Sequence, residues 1–122
     1  MPPRKVLIVD DSKLLHRMFE MMLRQYPLVH AYDGKEALER LAENGDVDLV
    51  LLDMNMPEMS GEEALGHFTA IRPDVRVIVS SGHNESLAAV RFAGQRVAGF
   101  IPKPYTSRQL AEKINSILIG DR

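Results

Sequence analysis

The sequence predicts an α/β protein in which five strand–helix repeats wind around one parallel sheet, and three observations carry that expectation. Short apolar runs rich in β-branched residues alternate with stretches where apolar residues recur every third or fourth position. The strand-like runs are apolar throughout, so both their faces are buried, as a sheet covered by helices on each side requires. At 122 residues the chain has the size of one common domain and is too short for two ordinary ones, so residues 1–122 are expected to share a single core.

Lys5 to Val9 reads as the first strand, because no polar residue interrupts Val6 to Val9. From Ser12 the spacing changes. Leu14, Leu15, Met18, Phe19, Met22 and Leu23 recur at three and four, marking one face of a helix that ends before Pro27. Leu28 to Ala31 is a short second strand. Asp33 stands as N-cap of a helix carrying Ala37, Leu38 and Leu41, which Asn44-Gly45 ends. Leu49 to Leu52 is a third strand and runs directly into Asp53. After a loop from Met54 to Ser60, a helix from Gly61 buries Ala64, Leu65, Phe68 and Ile71 and stops near Arg72-Pro73. Val75 to Ser80 is a fourth strand, Asn84 to Phe92 a fourth helix, and Gly94 to Gly99 a loop. Gly99 to Pro102 is a fifth strand, placed at an edge because Pro102 has no N–H for a ladder. Thr106 to Ile119 is the last helix, with Leu110, Ile114, Ile117 and Leu118 inward.

Composition excludes several classes. With no cysteine there is no disulfide framework, thiolate metal site or cysteine nucleophile, and a reducing, cytoplasmic setting is expected. No apolar run approaches the ~18 residues of a membrane span. Met1 to Arg4 lead into the first strand without the regions of a signal peptide, so no export is expected. The net charge of -2 divides unevenly: +1 over residues 1–40, -7 over 41–71 and +4 over 72–122. The acidic middle argues against a nucleic-acid surface there, and no helix-turn-helix or basic tail is present.

Ligands of open α/β sheets bind beyond the carboxyl ends of the strands. Those ends carry Asp10-Asp11, Asp53, Ser80-Ser81-Gly82 and Pro102-Lys103-Pro104. Carboxylates gathered about 5 Å apart repel by roughly 3 kcal/mol per pair at an effective dielectric near 20, so the cluster calls for a cation. An all-oxygen set selects a hard divalent ion, Mg²⁺ first, with Mn²⁺ and Ca²⁺ as alternatives. Lys103 and Ser81 would then face a phosphoryl group, and the constellation reads as phosphoryl chemistry on a carboxylate. Each residue alone has a plainer reading: Asp10-Asp11 as helix caps, Asp53 as a turn residue, Lys103 as a solvated charge, Ser81 as a strand-end hydroxyl. Their joint placement at four strand ends outweighs those readings. His16, His30, His67 and His83 share no metal-ligand spacing, and His30 is most simply a strand residue. Met54, Met56 and Met59 are packing filler or an adaptable partner surface.

V-L-I-V-D-D-S at 6–12, L-L-D-M-N-M-P-E-M-S-G at 51–61, S-S-G-H at 80–83 and K-P-Y at 103–105 resemble the signatures of response-regulator receiver domains of two-component systems. The resemblance spans essentially the whole chain and implies one receiver domain over residues 1–122, with a flavodoxin-like sheet of strand order 2-1-3-4-5. It implies that Asp53 is the phosphoacceptor, taking its phosphoryl group from a histidine kinase phosphohistidine. Asp11 and Asp53 would bind Mg²⁺ directly with the backbone carbonyl of Asn55, and Asp10 through water. Ser81 matches the switch hydroxyl, Phe100 the switch aromatic, and Lys103 the phosphoryl-pairing lysine, whose bond to the next residue, Pro104, is usually cis in the family. Asn55 and His83 would tune the phosphorylated lifetime. Implied partners are a sensor histidine kinase or a histidine phosphotransfer protein, and a downstream protein at the face of the fourth helix, fifth strand and last helix. That face lies in the basic third, with Arg91, Arg96 and Arg108. No nucleic acid or membrane is implied, and no catalysis beyond the chain's own phosphorylation and slow dephosphorylation. Residues 91–105 are similar to receivers attached to hybrid sensor histidine kinases, so a receiver cut from such a protein is an alternative. A phosphatase of the haloacid-dehalogenase type would need a second Asp at 55, where Asn stands, and a cap domain. A flavin or nucleotide carrier would need a Gly-rich loop in place of Asp10-Asp11-Ser12.

Overall fold

In the computed structural model, which describes residues 5–54, 59–81, 92, 97–103 and 105–120, the predicted alternation of strands and helices is realised. The elements run β1 (Lys5–Val9), α1 (Lys13–Met22), β2 (Leu28–Ala31), α2 (Gly34–Glu43), β3 (Val47–Asp53), α3 (Gly61–Ile71), β4 (Arg76–Ser81), β5 (Gly99–Pro102) and α4 (Ser107–Gly120). The helix expected at 84–92 falls outside the described residues except for Phe92, which is buried.

Every described strand pair is parallel, and the order is β2-β1-β3-β4-β5. The chain first steps to one side of β1 and then returns past it, and with right-handed crossovers this puts α1 and α4 on one face and α2 and α3 on the other. Pro102 sits on an edge strand, as its missing N–H demands.

Strand alternation divides the core in two. Leu7, Val9, Val50, Leu52, Val77 and Val79 pack with Ala37 and Leu41 of α2 and Ala64, Leu65 and Phe68 of α3. Val6, Ile8, Leu49, Leu51, Ile78 and Ile101 pack with Phe19 of α1, with Leu23 at its C-cap, and with Leu110, Ile114 and Leu118 of α4. Helix starts are chemically set. The side chains of Ser12, Asp33 and Ser60 accept hydrogen bonds from the backbone N–H of Leu15, Glu36 and Glu63 respectively.

Two apolar faces are narrower than the spacing predicts. On α1, Phe19 and Leu23 are buried while Leu14 and Met18 are exposed; on α3, Ile71 is exposed at the C-terminal end. The six apolar positions of α1 span more than the stripe that one sheet face and one neighbouring helix cover.

Candidate functional site

The register brings the carboxylates together. Val9 pairs with Leu52, so Asp10 and Asp53, each one residue further, emerge side by side at the carboxyl edge of β1 and β3, where the strand order reverses. Asp53 in turn pairs with Ser80. The ladder continues past it, since the Met54 N–H donates to the Ser80 carbonyl at 2.9 Å. Met54 is fully buried, which makes it packing, and its carbonyl accepts from the Gly61 N–H at 3.2 Å. A Cβ at Gly61 would lie 3.1 Å from the Met54 Cα and carbonyl oxygen, so a larger residue would push the start of α3 a few tenths of an ångström away from the strand that carries Asp53.

One carboxylate oxygen from each of Asp10, Asp11 and Asp53 lies within 4.8 Å of the others. Asp10 and Asp53 are 4% and 6% exposed, so water cannot screen their repulsion well, while Asp11 is open to solvent. Lys103 crosses from the end of β5 and brings its Nζ to 3.3 Å from Asp53 Oδ1 and 3.7 Å from Asp10 Oδ2. Three carboxylates against one ammonium leave a formal excess of two negative charges, the amount a divalent cation cancels. The donors are all oxygens, which fits Mg²⁺ and not a soft metal.

Asp10 is held at every polar group. Its N–H donates to the Ala31 carbonyl at 3.2 Å, and its Oδ1 accepts from the Ser12 N–H at 2.9 Å. Its carbonyl accepts from His16 Nε2 at 2.8 Å. Sequence reasoning passed over this histidine, which is 2% exposed. Its Nδ1 lies 2.7 Å from Nδ1 of His30 on β2, whose Nε2 is 3.6 Å from Glu20 Oε1. Burial, and then the neighbouring His16, hold the His30 imidazole below its ordinary 6.5, with Glu20 pulling the other way.

Ser80 and Tyr105 were also missed as site residues. Ser80 Oγ and Tyr105 Oη are both buried, and neither makes a hydrogen bond of acceptable geometry within the described structure. Burial pushes the Tyr105 hydroxyl up to about 12; the Asp10 and Asp53 charges add to the rise, and the nearby Ser80 hydroxyl opposes it. The ring itself stacks on Phe19, with centroids 6.3 Å apart and planes 12° from parallel. A serine directly after the apolar run Val77–Val79, in register with Asp53, was the available signal.

Of the remaining expected residues, Phe100 is half-buried on β5 and meets Phe92 edge-on at 6.2 Å. Ser81 ends β4 opposite Pro102, and its side chain is outside the described residues. Asn55, His83, Pro104, Arg91 and Arg96 are likewise outside them. No helix among the described residues is long and apolar enough to cross a membrane.

Comparison with known proteins gives this arrangement relatives. Residues 6–115 match the response regulator receiver domain family. A chemotaxis protein CheY homologue from Campylobacter jejuni is 34% identical over 122 residues, covering 93% of this chain and 92% of the homologue. Sensor kinase CckA of Brucella abortus is 34% identical over 116 residues, which are 93% of this chain but only 12% of the kinase. A solved CheX-CheY-BeF3-Mg²⁺ complex from Borrelia burgdorferi is similar with a TM-score of 0.83 at 28% identity, covering 95% of this chain and 90% of that one.

Proposed function

The chain belongs to the response regulator receiver domain family of two-component systems, and on that premise we propose that it accepts a phosphoryl group on Asp53 from a phosphohistidine of a sensor kinase or a histidine phosphotransfer protein. The observation that carries this reading is the setting of Asp53: nearly buried, within 4.8 Å of two further carboxylates and 3.3 Å from the Lys103 ammonium. A carboxylate oxygen of Asp53 attacks phosphorus; the new O–P bond replaces the P–N bond, and the imidazole leaves with the electron pair. Asp10, Asp11 and Asp53 would hold Mg²⁺, joined by the carbonyl of Asn55. When bound, that cation neutralises charge on the transferring group. Lys103 already lies against the carboxylate that reacts, so it offsets negative charge on the phosphoryl oxygens without a large movement.

Ser81 and Phe100 are the proposed switch pair, and Asn55 and His83 the residues that set the lifetime of the acyl phosphate. The output face consists of β5, α4 and the segment 84–92. Its Arg108 is exposed and paired within α4 to Glu112 at 3.0 Å. Activity is confined to the chain's own phosphorylation and dephosphorylation, and one receiver domain occupies residues 1–122. A second reading, a receiver segment of a longer sensor kinase, is supported by the likeness to CckA; both share the chemistry at Asp53. Incubation with acetyl phosphate, followed by intact-mass measurement, tests the proposal. One phosphate is expected with Mg²⁺ and none after chelation, and no gain with Mg²⁺ bound sinks the reading.

The donor's approach has a visible counterpart. Leu14, Met18 and Met21 are 69%, 46% and 70% exposed, and their i, i+4, i+7 spacing makes one apolar stripe on α1, beginning three residues after Asp11. We assign this stripe to the donor's helix. Met18→Glu is expected to slow transfer from a phosphorylated histidine phosphotransfer domain on the order of 10-fold, equivalent to about 1.4 kcal/mol of lost contact. The acetyl phosphate reaction should be unchanged, and equal slowing of both would show that the stripe is not a docking surface.

A further inference from the structure

The proton positions around His16 follow from its partners. A backbone carbonyl has no proton to give, so the 2.8 Å contact with the Asp10 carbonyl requires the proton on His16 Nε2. In the neutral ring Nδ1 is then a bare acceptor, and the 2.7 Å contact requires His30 to donate from its own Nδ1. When the pair gains one proton, it goes to His30 Nε2 on the far side, toward Glu20, because a second proton between the facing Nδ1 atoms would set two donors head on. In either state His16 Nε2 stays a donor to Asp10.

Burying an imidazole is costly unless both nitrogens are bonded. At 2% exposure on a helix face shared with Phe19 and Leu23, a leucine would fill similar space without that cost. What the imidazole adds is the two bonds, one of which ends on the peptide between Asp10 and Asp11. That peptide lies just past the last residue of β1. Because a peptide unit is planar, holding the Asp10 carbonyl also orients the Asp11 N–H and the Cα that carries the exposed carboxylate. Ser12, one helical turn before His16, caps α1 and gives its N–H to Asp10 Oδ1, so the histidine and the cap grip the same residue from two sides.

We infer that His16 is a positioning residue for the acid cluster: locked by His30 with its Nε2–H toward the Asp10 carbonyl, it sets where the Asp10 and Asp11 carboxylates meet a divalent cation. The inference rests on the cation reading of the acid cluster given above. Nothing in it depends on either histidine changing charge, and it predicts a rescue pattern that simple packing does not. Glutamine carries an amide N–H near the position of Nε2, and asparagine carries one near Nδ1. Thus His16→Gln and His30→Asn keep the donors, while His16→Leu and His30→Leu remove them.

Two measurements on the whole chain decide the matter. Nitrogen NMR of the imidazoles in metal-free protein should show His16 protonated at Nε2 with Nδ1 as acceptor. Mg²⁺ titration followed by backbone amide shifts should give H16L an affinity weaker by on the order of 10-fold, the low end for groups that orient metal ligands. H16Q and H30N should bind near wild type, and H30L should follow H16L, so the second pair reports even if H16L fails to fold. Wild-type affinity in folded H16L or H30L, or an Nδ1–H tautomer of His16, overturns the positioning role and leaves the cation reading standing. Absence of Mg²⁺ binding by wild type, or binding that survives Asp11→Asn, overturns both.

Discussion

Asp53→Asn takes up no phosphoryl group from acetyl phosphate and Mg²⁺ under conditions in which the wild-type chain gains one, read as intact mass. The substitution keeps the shape of a side chain that is 6% exposed at the end of β3, so neither the ladder to β4 nor the packing of Met54 need change. What it removes is the nucleophile: an amide oxygen does not form an acyl phosphate, and the expected loss is complete. Charge shifts in the same direction. Lys103 Nζ, 3.3 Å from Asp53 and 3.7 Å from Asp10, keeps the second carboxylate as partner, so the lysine stays at the site while the acceptor is gone. A mass gain that persists in the variant would move the acceptor to Asp10 or Asp11 and refute the assignment of Asp53.

Phe68→Ala should cost about 3 to 5 kcal/mol of folding stability, measured by urea unfolding. Phe68 is fully buried on α3, among the side chains that cover the α2/α3 face of the sheet. Domains of this size are stable by only about 5 to 15 kcal/mol, so one ring is a large share of the total. The neighbours that would have to collapse into the void include Leu52 and Val79, which the sheet holds in place, so the upper part of the range is favoured. A loss below about 1 kcal/mol would mean that this face repacks freely, contrary to a core built on paired strands. The acid cluster lies on the other alternation of the same strands, so variant protein that remains folded should still accept phosphate.

Much of this architecture was legible because its signals are local. Uninterrupted β-branched runs, the Asp33 N-cap and a proline that cannot join a ladder each act within a few residues, and β1, β2, α2 and β5 start where these signals place them. Predicted and observed bounds of β3, β4 and the last helix differ by one or two residues; Thr106, the predicted start of that helix, is its N-cap, whose hydroxyl accepts from the Gln109 N–H. The α1 and α3 faces were read too wide. Leu14, Met18 and Ile71 follow the helical period as well as their buried neighbours do, but the period does not tell how far the covering sheet and helix extend.

The sequence by itself determined that Asp10, Asp11, Asp53 and Lys103 share one rim. In a parallel sheet joined by right-handed crossovers every strand ends at the same edge, so a residue at a strand's carboxyl end has its place assigned by connectivity alone. Only the tertiary structure decided what supports that rim: the His16–His30 contact between α1 and β2, the buried hydroxyls of Ser80 and Tyr105, and the approach of Lys103 to Asp53 before Asp10. These depend on strand register and on the rotation of rings and side chains between elements distant in the chain. No local period encodes such distances, because each is fixed by two separately folded surfaces meeting.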